Sequence, residues 1–173
     1  MSSIEKYLES FGKYVVQQAR TNLTKGKKNV TNELYNSIKF TVTPNSEGYN
    51  VSFSMDSYGE FVDKGVSGNK KIQEFTTFDG RKIESPFKYR SKQPPANILS
   101  KWISMRGIKG RDKKSGRYIT NLSLAFLIGK KIKRDGIKSL SFFQRPLGLG
   151  LKRLPNDIMI AIKEDILNNL KTI

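Results

Sequence analysis

A chain of 173 residues that is 36% hydrophobic and 10% aromatic is long enough to bury one core and short for two full-sized domains. It contains no cysteine and no histidine, which removes disulfides, thiolate nucleophiles, cysteine-based metal sites and the commonest general base. The formal charge of +17 is unevenly placed: residues 64 to 153 hold 23 Lys+Arg against 5 Asp+Glu, so one surface is expected to meet a polyanion or an acidic protein.

The N-terminus, Met1 to Glu9, lacks a basic region followed by an apolar core, and the most apolar later stretch, Leu122 to Ile128, is far too short for a membrane span. The sequence therefore reads as soluble, with no membrane partner. Ser3 is placed to cap a first helix, whose stripe Ile4, Leu8, Phe11, Val15, Ala19 and Leu23 repeats every three or four residues. Lys25-Gly26-Lys27-Lys28 ends it, with Gly26 expected in the left-handed position.

Thr31 or Asn32 caps a short turn carrying Leu34 and Ile38, and Lys39 to Thr43 then alternates as a strand. Residues 44–48 are a turn, and Tyr49, Val51, Phe53 and Met55 alternate on the return strand of an antiparallel hairpin. Asp56 caps a short helix through Tyr58, Phe61 and Val62 that stops at Gly65. Helical periodicity is then lost up to Gln93, with a second, more exposed hairpin expected from Phe75 to Ile83 around Asp79-Gly80.

Pro94-Pro95 opens a helix with Ile98, Leu99, Trp102 and Ile103 on its apolar face. Gly107 to Arg117 is a basic loop, after which Thr120 caps a helix with Leu124, Leu127, Ile128 and Ile132 inward and Gly136 at its end. Phe142 and Phe143 lie in an extended piece leading to a last helix from about Pro155, carrying Ile158, Ile162, Ile166 and Leu170. The expected class is α+β, one domain over residues 1–173, with a small antiparallel sheet packed by long N-terminal and C-terminal helices and insertions at 66–93 and 107–117.

Chemistry-bearing patterns are sparse. Asp112-Lys113-Lys114 matches a short metal-nuclease pattern, with Asp79 and Glu84 as conceivable partners, but it lies in a glycine-flanked loop rather than on rigid elements. Gly65 to Lys71 lacks the Gly-Lys-Ser/Thr ending of a phosphate loop, and Gly107-Ile108-Lys109-Gly110 lacks the following helix of a Gly-x-x-Gly clamp. Glu60 and Asp63 share a helix face, read as solvated. Trp102, Tyr58, Phe61, Phe142 and Phe143 read as core rather than as base-stacking platforms. No catalytic, cofactor or metal site is expected. The candidate surface is basic: Lys109, Arg111, Lys113, Lys114 and Arg117 in the loop, and Lys130, Lys131, Lys133 and Arg134 in the last turns of the next helix.

Four segments stand in a recognisable order: Tyr58-Gly59-Glu60-Phe61-Val62-Asp63-Lys64-Gly65, Pro94-Pro95 through Trp102-Ile103 to Arg106-Gly107-Ile108, Leu124-Ala125-Phe126-Leu127-Ile128 through Asp135-Gly136-Ile137, and Phe142-Phe143. This order resembles the tail-completion, or head-tail joining (neck), family of tailed bacteriophages over about residues 31–150. The stretches between Gly65 and Pro94 and from Lys109 to Arg117 are longer than the family pattern. The resemblance implies a non-enzymatic structural virion protein, present in the host cytoplasm during assembly. It would form a homo-oligomeric ring at the portal-tail junction or cap the tail tube, touching portal, connector or tail subunits and making transient, non-specific contact with duplex DNA. The alternatives are a non-sequence-specific nucleic-acid-binding protein and a metal-dependent nuclease.

Overall fold

The computed structural model describes residues 2–46 and 48–170, with side chains described as far as residue 166. In chain order the elements are α1 (Ser3–Lys25), α2 (Glu33–Ser37), β1 (Lys39–Asn45), β2 (Gly48–Ser54), α3 (Gly59–Lys64), β3 (Val66–Ser67), β4 (Glu74–Thr76), β5 (Lys82–Glu84), α4 (Ala96–Met105), α5 (Asn121–Asp135), β6 (Gly136–Ile137) and α6 (Gln144–Leu170). The class is α+β, with small antiparallel sheets packed by helices and a long helix at each end. The single expected sheet is instead three two-stranded ones, β1–β2, β3–β6 and β4–β5, because only the first hairpin has strands long enough for an extended ladder.

The chain divides into two compact units, each discontinuous in sequence. The first comprises residues up to Gly59, Thr76–Arg81 and the chain from Ser141; the second comprises Glu60–Phe75 and Lys82–Leu140.

In the first unit α1 is opened by Ser2, not Ser3: the Ser2 hydroxyl accepts from the Glu5 N–H at 3.1 Å. Gly26 keeps a right-handed conformation at the far end, and Lys27 takes the positive φ of 53° instead. Leu8, Phe11, Val15, Ala19 and Leu23 are buried as the stripe predicts, and Ile38 behind α2 is fully buried. β1 and β2 pair in the register Phe40↔Phe53 and Val42↔Val51, and the strand runs through Pro44 to Asn45, so the turn is tighter than 44–48; Glu47 of that turn lies outside the described residues. The Phe53 ring meets Phe11 edge-on at 6.2 Å and Phe143 at 5.4 Å, which locks the hairpin onto α1 and onto the residue just before α6.

The last helix starts at Gln144, eleven residues before the expected Pro155. Pro146 and the glycines at 148 and 150 look like helix breakers, but Pro146 sits in the first turn, where its missing N–H has no helical partner to lose. Gly148 is required by proximity: a Cβ there would stand 2.0 Å from the Phe78 carbonyl oxygen at the tip of the β4–β5 hairpin. Pro155 lies inside α6 and costs one backbone bond. The packed side of α6 uses Ala161, with Leu154 and Ile158 half-buried. Ile162 and Ile166, expected inside, are exposed, and the Leu170 side chain lies outside the described residues.

α1 and α6 run antiparallel. Asp165 accepts from the Ser3 N–H at 2.8 Å and the Ile4 N–H at 3.3 Å, Tyr7 donates to Asp157 at 3.0 Å, and Asn22 donates to the Phe142 carbonyl at 3.3 Å. Asp165 thereby supplies a carboxylate to the positive end of α1, and its hydrogen bonds with Ser3 hold its own pKa below the ordinary value.

In the second unit α4 and α5 form an antiparallel pair, with Asn121 donating to Ser104 at 2.8 Å at one end and Gly129 closing against Leu99 and Pro94 further along. Ile103 and Ala125 are fully buried between them. Leu127 and Ile98, expected inside, are 55% and 62% exposed. β4 and β5 pair as the expected second hairpin, whose stretch Thr76–Arg81 belongs to the first unit, with Phe75 buried and Ile83 exposed.

Burial, reinforced by the hydrogen bond to the Asp157 carboxylate, pushes the Tyr7 phenol up from 10.0 to about 12. A raised phenol stabilises the fold fully below pH 10 and loses that contribution as pH climbs through about 12. Tyr7→Phe should cost about 0.5–1.5 kcal/mol in urea unfolding at neutral pH, and should remove this component of the alkaline loss of stability seen in the wild type.

Candidate functional site

The nine basic residues expected to form one surface all belong to the second unit, but they fall at opposite ends of α5. The helix begins on Thr120, whose hydroxyl accepts from the Ser123 N–H at 3.2 Å. At 1.5 Å per residue, Lys130 to Arg134 lie roughly 15–20 Å further along the axis.

At the N-terminal end, the stretch expected as a loop is an ordered hairpin. Arg111 bridges Tyr118, the Asp112 N–H donates to the Arg117 carbonyl at 2.9 Å, and the Ile119 N–H donates to Gly110 at 3.1 Å. The Asp112 carboxylate closes its tip by accepting from the N–H groups of Ser115 and Lys114 at 2.8 and 3.0 Å and from the Ser115 hydroxyl. These bonds, that to the Ser115 N–H foremost, hold its pKa below the ordinary value. Arg111 donates to the Tyr118 hydroxyl at 2.6 Å with its guanidinium 4.4 Å from the ring centre. Beside this hairpin opens a groove of about 630 Å³, walled by Ala96, Ile119, Leu122, Phe126, Leu127 and Arg111. Lys113, Lys114 and Arg117 stand exposed on the hairpin, and Lys109 lies 6.0 Å from the Tyr118 ring.

At the C-terminal end the geometry is set by backbone. The last four carbonyls of a helix have no partner within it, and here each finds one. Ile132 accepts from the Gly136 N–H, Lys133 from the Asn69 N–H at 2.9 Å, Arg134 from the Lys70 N–H at 2.9 Å, and Asp135 from the Gln73 side-chain amide at 2.6 Å. The glycine-bearing segment after Gly65, unfit as a phosphate loop, turns its N–H groups onto these carbonyls. Ser67 fixes the segment from both sides: it pairs with Gly136 in the β3–β6 ladder and bridges Lys88 in parallel, and its hydroxyl accepts from the Gln73 N–H at 3.0 Å.

This closure brings Lys70 and Lys71, which sequence reasoning left out, beside Lys131, Lys133 and Arg134. Arg134 holds the Asp135 carboxylate with two bonds of 2.7 and 2.8 Å. That pair depresses the Asp135 pKa, with smaller contributions from Lys131 and Lys71. Lys130 turns instead onto the Phe126 ring, 4.7 Å from its centre.

The carboxylates do not converge. Among the described residues no group of three Asp or Glu side chains could hold a metal ion. Asp112 closes its turn, and Asp79 bonds Thr77 and Arg81 in its own turn. Glu60 and Asp63 do not share a solvated face, since Glu60 pairs with Lys64 at 3.4 Å whereas Asp63 is only 3% exposed. Phe142 and Phe143 are core as expected, but Tyr58 and Phe61 are 41% and 43% exposed; Phe61 lies edge-on to Phe87 at 4.5 Å, and Tyr58 accepts from the Leu34 N–H at 2.8 Å.

Comparison of the chain with family models, curated proteins and solved structures gave no match.

Gly136 holds φ 80°, and a Cβ on it would lie 2.2 Å from the Val66 carbonyl oxygen. Gly136→Ala is expected to destabilise the protein by at least about 2 kcal/mol, from strain and lost closure together, with the loss read by urea unfolding.

Proposed function

We propose that this chain is a structural virion subunit that assembles into a ring at the head-tail junction of a tailed phage, or caps its tail tube, around the DNA passage. The observation that carries the reading is apolar helix surface left without a partner on each unit. On α4 and α5, Ile98, Met105, Leu122, Phe126 and Leu127 are exposed beside the basic hairpin. On α6 a second stripe, Leu151, Met159, Ile162 and Ile166, runs along the side away from Ala161, with Met159 69% exposed. A monomer at ease in water does not carry such faces.

Two different apolar faces on one subunit suit a head-to-tail contact, in which the face of one copy meets the other face of the next, and such contacts give rings when the rotation between copies closes. The order of motifs resembling the tail-completion family supports the same assembly. Portal, connector or tail subunits are the neighbours above and below. The excess of 19 Lys+Arg over 6 Asp+Glu in the second unit suits loose, sequence-independent contact with duplex DNA. The role requires no cofactor and no reaction. A free DNA-binding protein, the alternative, would hold duplex as a monomer.

The experiment is sedimentation at high protein concentration. The wild type should form a closed oligomer, while Phe126→Ser with Leu127→Ser, and Met159→Ser with Ile162→Ser, should each remain folded monomers by circular dichroism. An equimolar mixture of the two variants retains one intact pair of faces and should give a heterodimer; a wild type that stays monomeric would overturn the reading.

Duplex DNA incubated with the protein and Mg²⁺ or Mn²⁺ should stay intact on a gel. Cleavage that disappears in Asp112→Ala would replace the structural reading with the nuclease one.

A further inference from the structure

We infer that the two basic clusters have different partners: Lys70, Lys71, Lys131 and Lys133 grip the phosphate backbone of duplex DNA, whereas the hairpin from Lys109 to Arg117 belongs to the contact with the next copy of this chain. The inference rests on the proposal that the chain surrounds DNA and assigns which of its surfaces does so.

Lysines near a helix C-terminus ordinarily offset its unpaired carbonyls. Here that role is taken, since Gly136, Asn69, Lys70 and Gln73 donate to all four terminal carbonyls. The nearby carboxylate of Asp135 is taken as well, by both arms of the Arg134 guanidinium. Among the described residues Lys70, Lys71, Lys131 and Lys133 make no ion pair. Arg134, Lys131 and Lys71 act on the Asp135 carboxylate, and Lys70 and Lys133 are carried by the same backbone closure, an excess of positive charge that nothing in the fold requires. The backbones carrying them are pinned to one another through the Asn69–Lys133 and Lys70–Arg134 bonds of 2.9 Å, so the charges are presented together without an ordering step. Compact ammonium groups on a fixed backbone, with Ile72 exposed beside them, suit phosphates that carry one charge per ~1.7 Å of duplex.

The hairpin cluster has the opposite surroundings. Arg111 stands over the Tyr118 ring and bonds its hydroxyl, Asp112 stands in the turn, and Ile108, Leu122, Phe126 and Leu127 are exposed beside it. An arginine and aromatics set around an apolar groove is the composition of a protein interface.

The test is fluorescence anisotropy of a labelled duplex of mixed sequence with the full chain, between about 50 and 200 mM salt. One variant carries Lys70→Gln, Lys71→Gln, Lys131→Gln and Lys133→Gln; the control removes the same charge with Lys109→Gln, Lys113→Gln, Lys114→Gln and Arg117→Gln. Arg134 is left in place because its guanidinium holds Asp135. The first variant should bind at least about thirtyfold more weakly at low salt, with the slope of log affinity against log salt shallower by about 3, while the control stays within about threefold of wild type. Equal losses in both variants, a larger loss in the control, or no salt-dependent binding by the wild type would overturn the inference. So would a first variant that keeps its DNA affinity but fails to assemble in sedimentation, since that cluster would then be a docking surface. A wild type that never assembles but shows the predicted contrast in DNA binding would overturn the ring and leave the phosphate assignment standing.

Discussion

The four C-terminal carbonyls of α5 must be satisfied, and the way they are satisfied organises the second unit. A short segment from Ser67 to Gln73 is drawn across the end of the helix, giving two backbone N–H groups and one side-chain amide to carbonyls that would otherwise face water or be left unpaired. That close approach leaves no room for side chains on the facing backbones: a Cβ on Gly68 would lie 2.3 Å from the Arg134 carbonyl oxygen and one on Gly136 2.2 Å from that of Val66. Once the segment is held, Ser67 pairs with β6 on one side and with the strand-like run at Lys88 on the other. Most of the long stretch between α3 and α4 is thereby tied to the helix pair. It is a structural strap with buried Val66, Ser67, Gln73 and Phe75.

The first unit is organised by a different device. α1 and α6 lie antiparallel with polar ties near both ends and the Phe11 ring against Gly150 in between, and Phe53 joins the β1–β2 hairpin to Phe11 of α1 and to Phe143 just before α6. Only one side of α6 is consumed by this packing. Its second apolar stripe is left facing outward, as is the face of α4 and α5 that carries Phe126 and Leu127. The apolar content of the chain thus exceeds what its own cores use, and the surplus is gathered on helices rather than scattered. The same holds for charge: one basic cluster is merged with an apolar groove, the other stands on a hydrogen-bonded helix end.

Local pattern was enough for much of this. The stripe of α1, the alternation of β1 and β2, the Thr120 cap, the Gly136 stop and the Asp79-Gly80 turn each depend on residues a few positions apart, where backbone sterics and periodicity act directly. The absence of cysteine and histidine, and the concentration of charge in the middle of the chain, were equally plain from the sequence.

Tertiary structure decided the rest, because the residues that settle it are far apart. Pro146, Gly148 and Gly150 read locally as breakers, yet α6 passes through them: the proline falls in the first turn, and the two glycines stand where Phe78 and Phe11 approach too closely to admit larger residues. Leu127 and Ile162 share their helices' periodicity with buried neighbours, and only the position of the opposing helix determines which side is covered. Nine basic residues between Lys109 and Arg134 fall into two groups separated by the length of α5, and two others, Lys70 and Lys71, were carried some sixty residues in sequence to the helix end by bonds of their own backbone. Sequence by itself determined which elements form and how much charge and apolar surface the chain carries, since those follow from residues in local contact. Only the fold decided which charges stand together and which apolar faces stay open, because that depends on long-range backbone closure at α5 and on the pairing of α1 with α6.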